Sequence, residues 1–334
     1  SRTVKIREDI KKSPSVRKGG TIVSKVRIDK KNIRKSFFKS VKRDKYLILM
    51  VLPCILFFVI FHYIPMFWNI IAFEKYNARQ GIFGSQWVGL ENFRRFFASP
   101  YAFRVIRNTL VINLMDLVFG FPVPIIFALL LNEVRNNKVK RTIQTFTYLP
   151  HFISVVVVVG MMNILLSPTD GLVNKLIVGL GGNSINFLVD VKWFRWLYVL
   201  SNIWQNFGWD SIIYFAAIAG INAEIYEAAM VDGAGRWKKM IYITLPSIVP
   251  TVIILLIMRI GWLLSVGFEK VLLMYNEATY EVADVISTYI YRASLLNADF
   301  SYGTAIGLFN CVISLVLVLG ANWVSRRFSE TSLF

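Results

Sequence analysis

The sequence predicts an all-α membrane protein of six transmembrane helices with both termini on the cytoplasmic side. Three observations carry this expectation. The 334 residues are 55% hydrophobic and 17% charged, a balance that suits a polytopic membrane protein and not a soluble domain of this length. Six windows have the roughly 20 mainly apolar residues that a spanning helix needs: 46–73, 108–132, 142–169, 196–223, 246–268 and 300–325. The segments on the N-terminal side of those windows then hold 26 of the 38 Lys and Arg, and the positive-inside rule assigns that side to the cytoplasm.

Residues 1–45 carry seventeen Lys and Arg against four acids, so this tail supplies +13 of the net +18. A basic tail ahead of an apolar run reads as a cytoplasmic flank or a contact to lipid headgroups. No fold motif accompanies it that would suggest nucleic acid. It is also too long for the basic region of a cleavable signal peptide, and the apolar run after it has spanning length. The first, third and sixth windows lack Asp, Glu, Lys and Arg, whereas the second, fourth and fifth hold Asp116, Asp210 and Arg259. Segments 74–107 and 269–299 face outward and mix aromatics with polar groups ("SQWVGLENFRRFF", "MYNEATYEVADVISTYIYR"), as long functional loops do. Segment 170–195 reads as a short amphipathic helix, a Gly-Gly-Asn break and a return. Cys54 and Cys311 are expected as buried thiols. His62 and His151 stand far apart, so no metal site is expected.

The polar stretch 222–246, "NAEIYEAAMVDGAGRWKKMIYITLP", lies on the cytoplasmic side of this topology. Asn222 suits an N-cap and Glu224 the first helical turn. Ala228 and Ala229 leave a low face that another protein can approach. Gly233 and Gly235 break the helix, and "RWKKMIYI" resumes as an amphipathic helix with Pro246 in the first turn of the next span. Local physics therefore predicts a pair of helices bent at the glycines and lying along the inner membrane surface.

The same residues resemble a known motif. Glu227-Ala228-Ala229, three residues, Gly233, nine residues, then Ile243-x-Leu245-Pro246 is similar in spacing and identity to the EAA motif of binding-protein-dependent ABC importer permeases. "WVGLENF" at 87–93 followed by Asn108-Thr109 resembles the outer-loop signature of the sugar permeases. "TYLPHFISVVVVVGMMNILL", "NIWQNFGWDSIIYFAAIAGI", "SVGFEKVLLMYNEATYEVADVISTYIYR" and "SRRFSETSLF" resemble the branch that imports oligosaccharides derived from complex polysaccharides. The resemblance implies the transmembrane fold of a type I ABC importer in a bacterial plasma membrane. It implies that Glu227, Ala228, Ala229, Asp232 and Gly233 dock on a separate ATPase subunit, with residues 132–141 as a secondary contact. The implied partners are two ATPase subunits carrying ATP and magnesium, a second permease that is either a copy of this chain or, as is usual in that branch, one of different sequence, and an extracytoplasmic sugar-binding protein.

The chain itself has no Gly-Lys dipeptide and hence no Walker A loop to cradle phosphates. Polar groups inside spans are costly and tend to face a cavity. Asn202, Asn206, Asp210 and Tyr214 recur at i, i+4 on the fourth span, with Trp209 close by. The second span adds Asn113 and Asp116, the fifth Arg259 and Trp262, the sixth Asn310 and Ser314. Carboxylates and amides beside flat aromatic faces suit a sugar path; the same groups also suit interhelical hydrogen bonds and an Arg–Asp pair that hold the bundle together. Three alternatives stay open. One is an ion-coupled secondary transporter, disfavoured because no internal repeat is visible. The second is an intramembrane enzyme, which lacks a clustered nucleophile and base. The third is an importer permease for a non-sugar solute.

Overall fold

The structure, a computed structural model, describes residues 44–328; the basic tail lies almost wholly outside the described residues, as does the end of "SRRFSETSLF". The chain divides into two compact units, 1–66 and 67–334. Among the described residues four helical runs are long and apolar enough to cross a membrane: α1 (Lys45–Phe73), α2 (Pro100–Asn132), α7 (Arg236–Gly261) and α8 (Phe300–Phe328). Two bent pairs complete the set, α3 (Asn137–Phe152) with α4 (Val155–Leu165), and α5 (Val191–Ala219) with α6 (Ala223–Val231). Counting each pair as one span gives the expected six.

Helix starts are written in the sequence. Ser99 accepts from Tyr101 N–H at 3.3 Å with Pro100 behind it, so α2 begins two turns before the predicted 108. Asn136 accepts from the N–H groups of Lys138 and Val139, Asp190 from Lys192 and Asn222 from Glu224. The third window is the main departure. It is not one helix but a bend of 98° between α3 and α4, where Ile153 and Ser154 are extended. Pro150 stops the first helix, and the Ser154 side chain caps the second. Gln205 Nε2 donates to the Ile153 carbonyl that the bend sets free, at 2.9 Å. The other correction concerns "RWKKMIYI", which does not lie as a separate surface helix. It forms the first turns of α7 and runs through a π-turn, Met240–Thr244, into the span.

That π-turn belongs to a pattern. Val59–Tyr63, Asp116–Gly120 and Met240–Thr244 each end two residues before a proline: Pro65, Pro122 and Pro246. A proline inside a helix lacks the N–H for its i−4 carbonyl and collides with it; widening the preceding turn by one residue relieves the collision.

Within the second unit the spans are tied at matched levels. Arg195 and Asn202 on α5 bond Asn108 and Asp116 on α2, so these two helices run parallel. Asn113 donates to the Leu263 carbonyl at 2.8 Å, and Arg259 pairs with Asp116, which sets α7 antiparallel to both. One end of the bundle is therefore built from 91–108 and 264–306, and the other from 220–248. At the first end the outer segments fold into short helices over two cores, one around Val199, Val271 and Val285 and one around Phe96, Ile286 and Ile306. At the second, Ala128, Ile218, Met240 and Ile248 close a third. Segment 172–186 is the expected helix, glycine break and return, held by buried Asn174 bonding both ways to Ile185. A two-residue antiparallel ribbon, β1 (Glu74–Lys75) with β2 (Gln86–Trp87), precedes helix Glu91–Ala98.

Cys54 and Cys311 are exposed, contrary to expectation, because they sit on apolar helix faces that a bilayer would cover. Where α3 meets α5 the fit is tight: a Cβ on Gly208 would collide with the Thr147 carbonyl. Gly208→Val is expected to destabilise the protein by about 1–3 kcal/mol through overpacking. Gly160→Ala, with open space around it, should leave thermal unfolding in detergent unchanged or raised.

Candidate functional site

Two features converge on function, one at the 220–248 end and one midway along the spans. Gly220 ends α5, and α6 leaves it at 71°. α6 then closes in a full Schellman turn: Gly233 N–H donates to Met230 O at 3.1 Å and Ala234 N–H to Ala229 O at 2.8 Å, with Gly233 at φ 72°. Glycine is needed there because any side chain is strained in that left-handed conformation. Tyr226 Oη bonds Thr244 Oγ1 at 2.8 Å and pins α6 to the π-turn of α7. The result is a rigid hook that presents Glu227, Ala228, Asp232 and Gly233 to solvent, with Ala229 half-buried. Val231 beside them is 89% exposed, an apolar tip with nothing over it among the described residues.

Midway along the spans lies a chain of polar groups. Asp116 sits at the start of its π-turn and is buried. It takes Arg259 of α7 on one carboxylate oxygen and the Asn202 amide of α5 on the other, the latter at 2.7 Å. Asn206 donates to Asn202 Oδ1 at 3.0 Å, leaving its own Oδ1 to accept from His151 Nδ1 at 3.0 Å. The His151 ring stacks on Trp209 at 4.6 Å with planes 3° apart. Arg259, Asp116, Asn202, Asn206, His151 and Trp209 thus form one continuous relay across three spans and the α3–α4 break. Beside it is a cavity of about 240 Å³ lined by Asp210, Tyr214, Arg259, Trp262, Gly120 and Phe121.

The structure therefore brings together Asp116, Asn206, Trp209, Asp210, Tyr214, Arg259 and Trp262. Asn113 is spent on the carbonyls of Thr109 and Leu263 and does not line the cavity. Asn310 lies on α8 away from it, its Oδ1 buried and without a partner among the described residues. Two ionisable groups, one in the relay and one outside it, escaped the sequence reading. His151 enters the sequence reading only as a candidate metal ligand or enzymic base, although an ionisable group inside a spanning window is itself a signal. Lys270, in the outer segment, is buried with Nζ 5.4 Å from the Tyr198 ring centroid and no hydrogen-bond partner among the described residues. Burial pushes its ammonium down to about 8.

Chemically the relay holds charge without leaving it loose. Arg259 is 42% exposed on its side chain while Asp116 is 6% exposed, so the arginine can face the cavity while the aspartate anchors it. Asp116→Asn is expected to destabilise the protein by about 1–3 kcal/mol, because it removes the charge that holds the Arg259 guanidinium. The double variant Asp116→Asn/Arg259→Gln should recover part of that loss in thermal unfolding in detergent, and strict additivity would dissociate the pair from stability.

Comparison with known proteins places these features in a family. Residues 120–330 match the binding-protein-dependent transport system inner membrane component. Protein LplB of Bacillus subtilis is 46% identical over 299 residues, covering 90% of this chain and 94% of its own. The polygalacturonan/rhamnogalacturonan transport system permease protein YteP of Bacillus subtilis is 46% identical over 307 residues, covering 92% and 96%. A chain in the crystal structure of a bacterial alginate ABC transporter, in complex with alginate pentasaccharide-bound periplasmic protein, superposes with TM-score 0.82 at 46% identity, over 89% of this chain and 99% of that one.

Proposed function

The chain belongs to the family of binding-protein-dependent transport system inner membrane components, and on that premise we propose that it is the permease subunit of an ATP-driven oligosaccharide importer. The observation that carries the mechanism is the exposed hook 223–235, fixed to the bundle at Gly220 and through Tyr226. A rigid hook transmits displacement; a floppy loop would absorb it. Two ATPase subunits supply the energy, since the chain has no phosphate loop of its own. One hook serves one ATPase, so a second permease, of different sequence, supplies the other. An extracytoplasmic binding protein delivers the sugar to the opposite end, and both termini face the cytoplasm.

In this reading Glu227 and Asp232 meet basic groups on the ATPase, Ala228 and Ala229 allow close packing, and Val231 is the apolar tip that the groove covers. Closure of the ATPase pair on ATP moves the hook. Because α6 is tied to both α5 and α7, the movement reaches the spans that carry Asp210 and Arg259. The cavity at Asp210, Tyr214, Arg259 and Trp262 offers a carboxylate, a hydroxyl, a guanidinium and a flat indole, the set that binds sugar hydroxyls and ring faces. Breaking the hook should uncouple the machine without unfolding it. Gly233→Trp is expected to leave assembly with the partner permease intact while abolishing binding-protein-stimulated ATP hydrolysis and sugar uptake in proteoliposomes. Unchanged stimulation in that variant would remove the hook from the mechanism.

A further inference from the structure

A larger cavity, of about 860 Å³, opens at the end of the bundle built from 91–108 and 264–306. It belongs neither to the relay nor to the hook. Arg95, Arg104 and Arg292 line it, together with the rings of Tyr101, Tyr280 and Tyr289. Two carboxylates serve the three guanidiniums. Asp299 takes Arg95 at 2.5 Å, and that guanidinium also rests 4.4 Å over the Tyr302 ring. Asp284, fully buried, accepts from Arg292 at 2.6 Å and from Thr288 Oγ1 at 2.9 Å. Arg104 reaches the same Asp284 oxygen only at 3.5 Å, the limit of a hydrogen bond. Donors exceed acceptors here: Arg104 Nε and Arg292 Nη1 have no partner among the described residues. Nearby, Arg107 and Arg195 converge on the neutral amide oxygen of Asn108, Arg107 also donates to the Glu281 carbonyl, and the Glu281 carboxylate acts on Arg195 and not on the cavity wall.

The wall is therefore one negative charge short, and the group that lacks it is Arg104, whose side chain is 30% exposed. A guanidinium fork matches a carboxylate in a bidentate fashion. The tyrosines add flat apolar faces and a run of hydroxyls, with Ser99 Oγ 3.4 Å from Tyr289 Oη and Tyr289 Oη 3.0 Å from Tyr302 Oη. Sugar hydroxyls and ring faces find partners on such a surface; an acidic peptide would use the charge and leave the hydroxyls idle. The volume falls within the range of about 300–1,000 Å³ typical of small-molecule sites. We infer that this cavity is an entry site for carboxylate-bearing, uronic-acid saccharides, in which Arg104 reads the carboxylate and Tyr101 and Tyr289 support the sugar ring. The inference rests on the importer reading, in which this end faces outward.

The test uses the purified complex with its partner permease and ATPases in nanodiscs, without the binding protein. Trigalacturonate and its fully methyl-esterified form are titrated by calorimetry. The acid should bind and the neutral ester bind roughly tenfold more weakly or not at all, and Arg104→Gln should reduce the acid's affinity by a similar factor. Tyr101→Ala, which keeps every arginine, should weaken both forms; it guards against an Arg104 variant that fails to fold. Equal binding of acid and ester, or full binding by Arg104→Gln, overturns the site. So does an Arg104→Gln complex that binds trigalacturonate normally but loses affinity for the ligand-free binding protein, because the cavity would then be a protein dock. Binding-protein stimulation of ATP hydrolysis, measured on the same preparation, reports separately whether the importer reading stands.

Discussion

The bundle depends on how Asp116 is held. A buried carboxylate without partners is untenable, and here each oxygen has one: Arg259 from α7 and Asn202 from α5. Three spans with no hydrophobic drive to associate inside a lipid phase are thereby fixed in level and rotation. Everything at mid-span follows from that clamp. It decides which face of α7 turns toward the cavity, and it starts the relay through Asn202 and Asn206 to His151 at the α3–α4 break. These polar groups divide between two positions in one network. Asp116 supplies the glue, and the Arg259, Asp210 and Trp262 side chains border the space.

The two ends of the molecule solve opposite problems. The end with the hook must be stiff yet uncovered. It achieves stiffness with backbone bonds alone, the Schellman turn at Gly233, plus one hydroxyl pair at Tyr226 and Thr244. The motif Glu-Ala-Ala-x-x-x-Gly thus has a folding reason alongside the docking role proposed for it: Ala229 provides the carbonyl and Gly233 the left-handed residue of the same helix end. The other end is wide and folded, with Asp284, Thr288, Asn108 and Asn276 buried or half-buried and bonded to hold the segments between spans in place.

Much of this was legible from residues. Asn222, Glu224, Gly233 and the helix they bound were visible because capping is local chemistry. The six apolar windows were visible because hydropathy sums over about 20 residues. The break at Ile153 and Ser154 was not, since a run of valines after it scores as membrane whatever its direction. The partners of Asp116 were named as a set, but only the fold could choose Arg259 and Asn202 over Asn113 and Asn310. His151 and Lys270 were hidden for a shared reason: each acquires meaning from a neighbour more than fifty residues away.

The three π-turns that precede prolines have a geometric consequence for α2. One extra residue in a turn rotates everything beyond it by about 100° relative to a regular helix. A wheel drawn through Pro100–Asn132 as a single cylinder is therefore wrong on one side of Asp116–Gly120 if it is right on the other. Before the turn Asn108 and Asn113 meet Arg195 and the Leu263 carbonyl, and beyond it Ala128 and Leu129 pack with Tyr214, Ile218 and Ile248. Pro122, through the widened turn it demands, acts as a phase shifter that resets which residues of α2 meet α5 and α7 on either side of it.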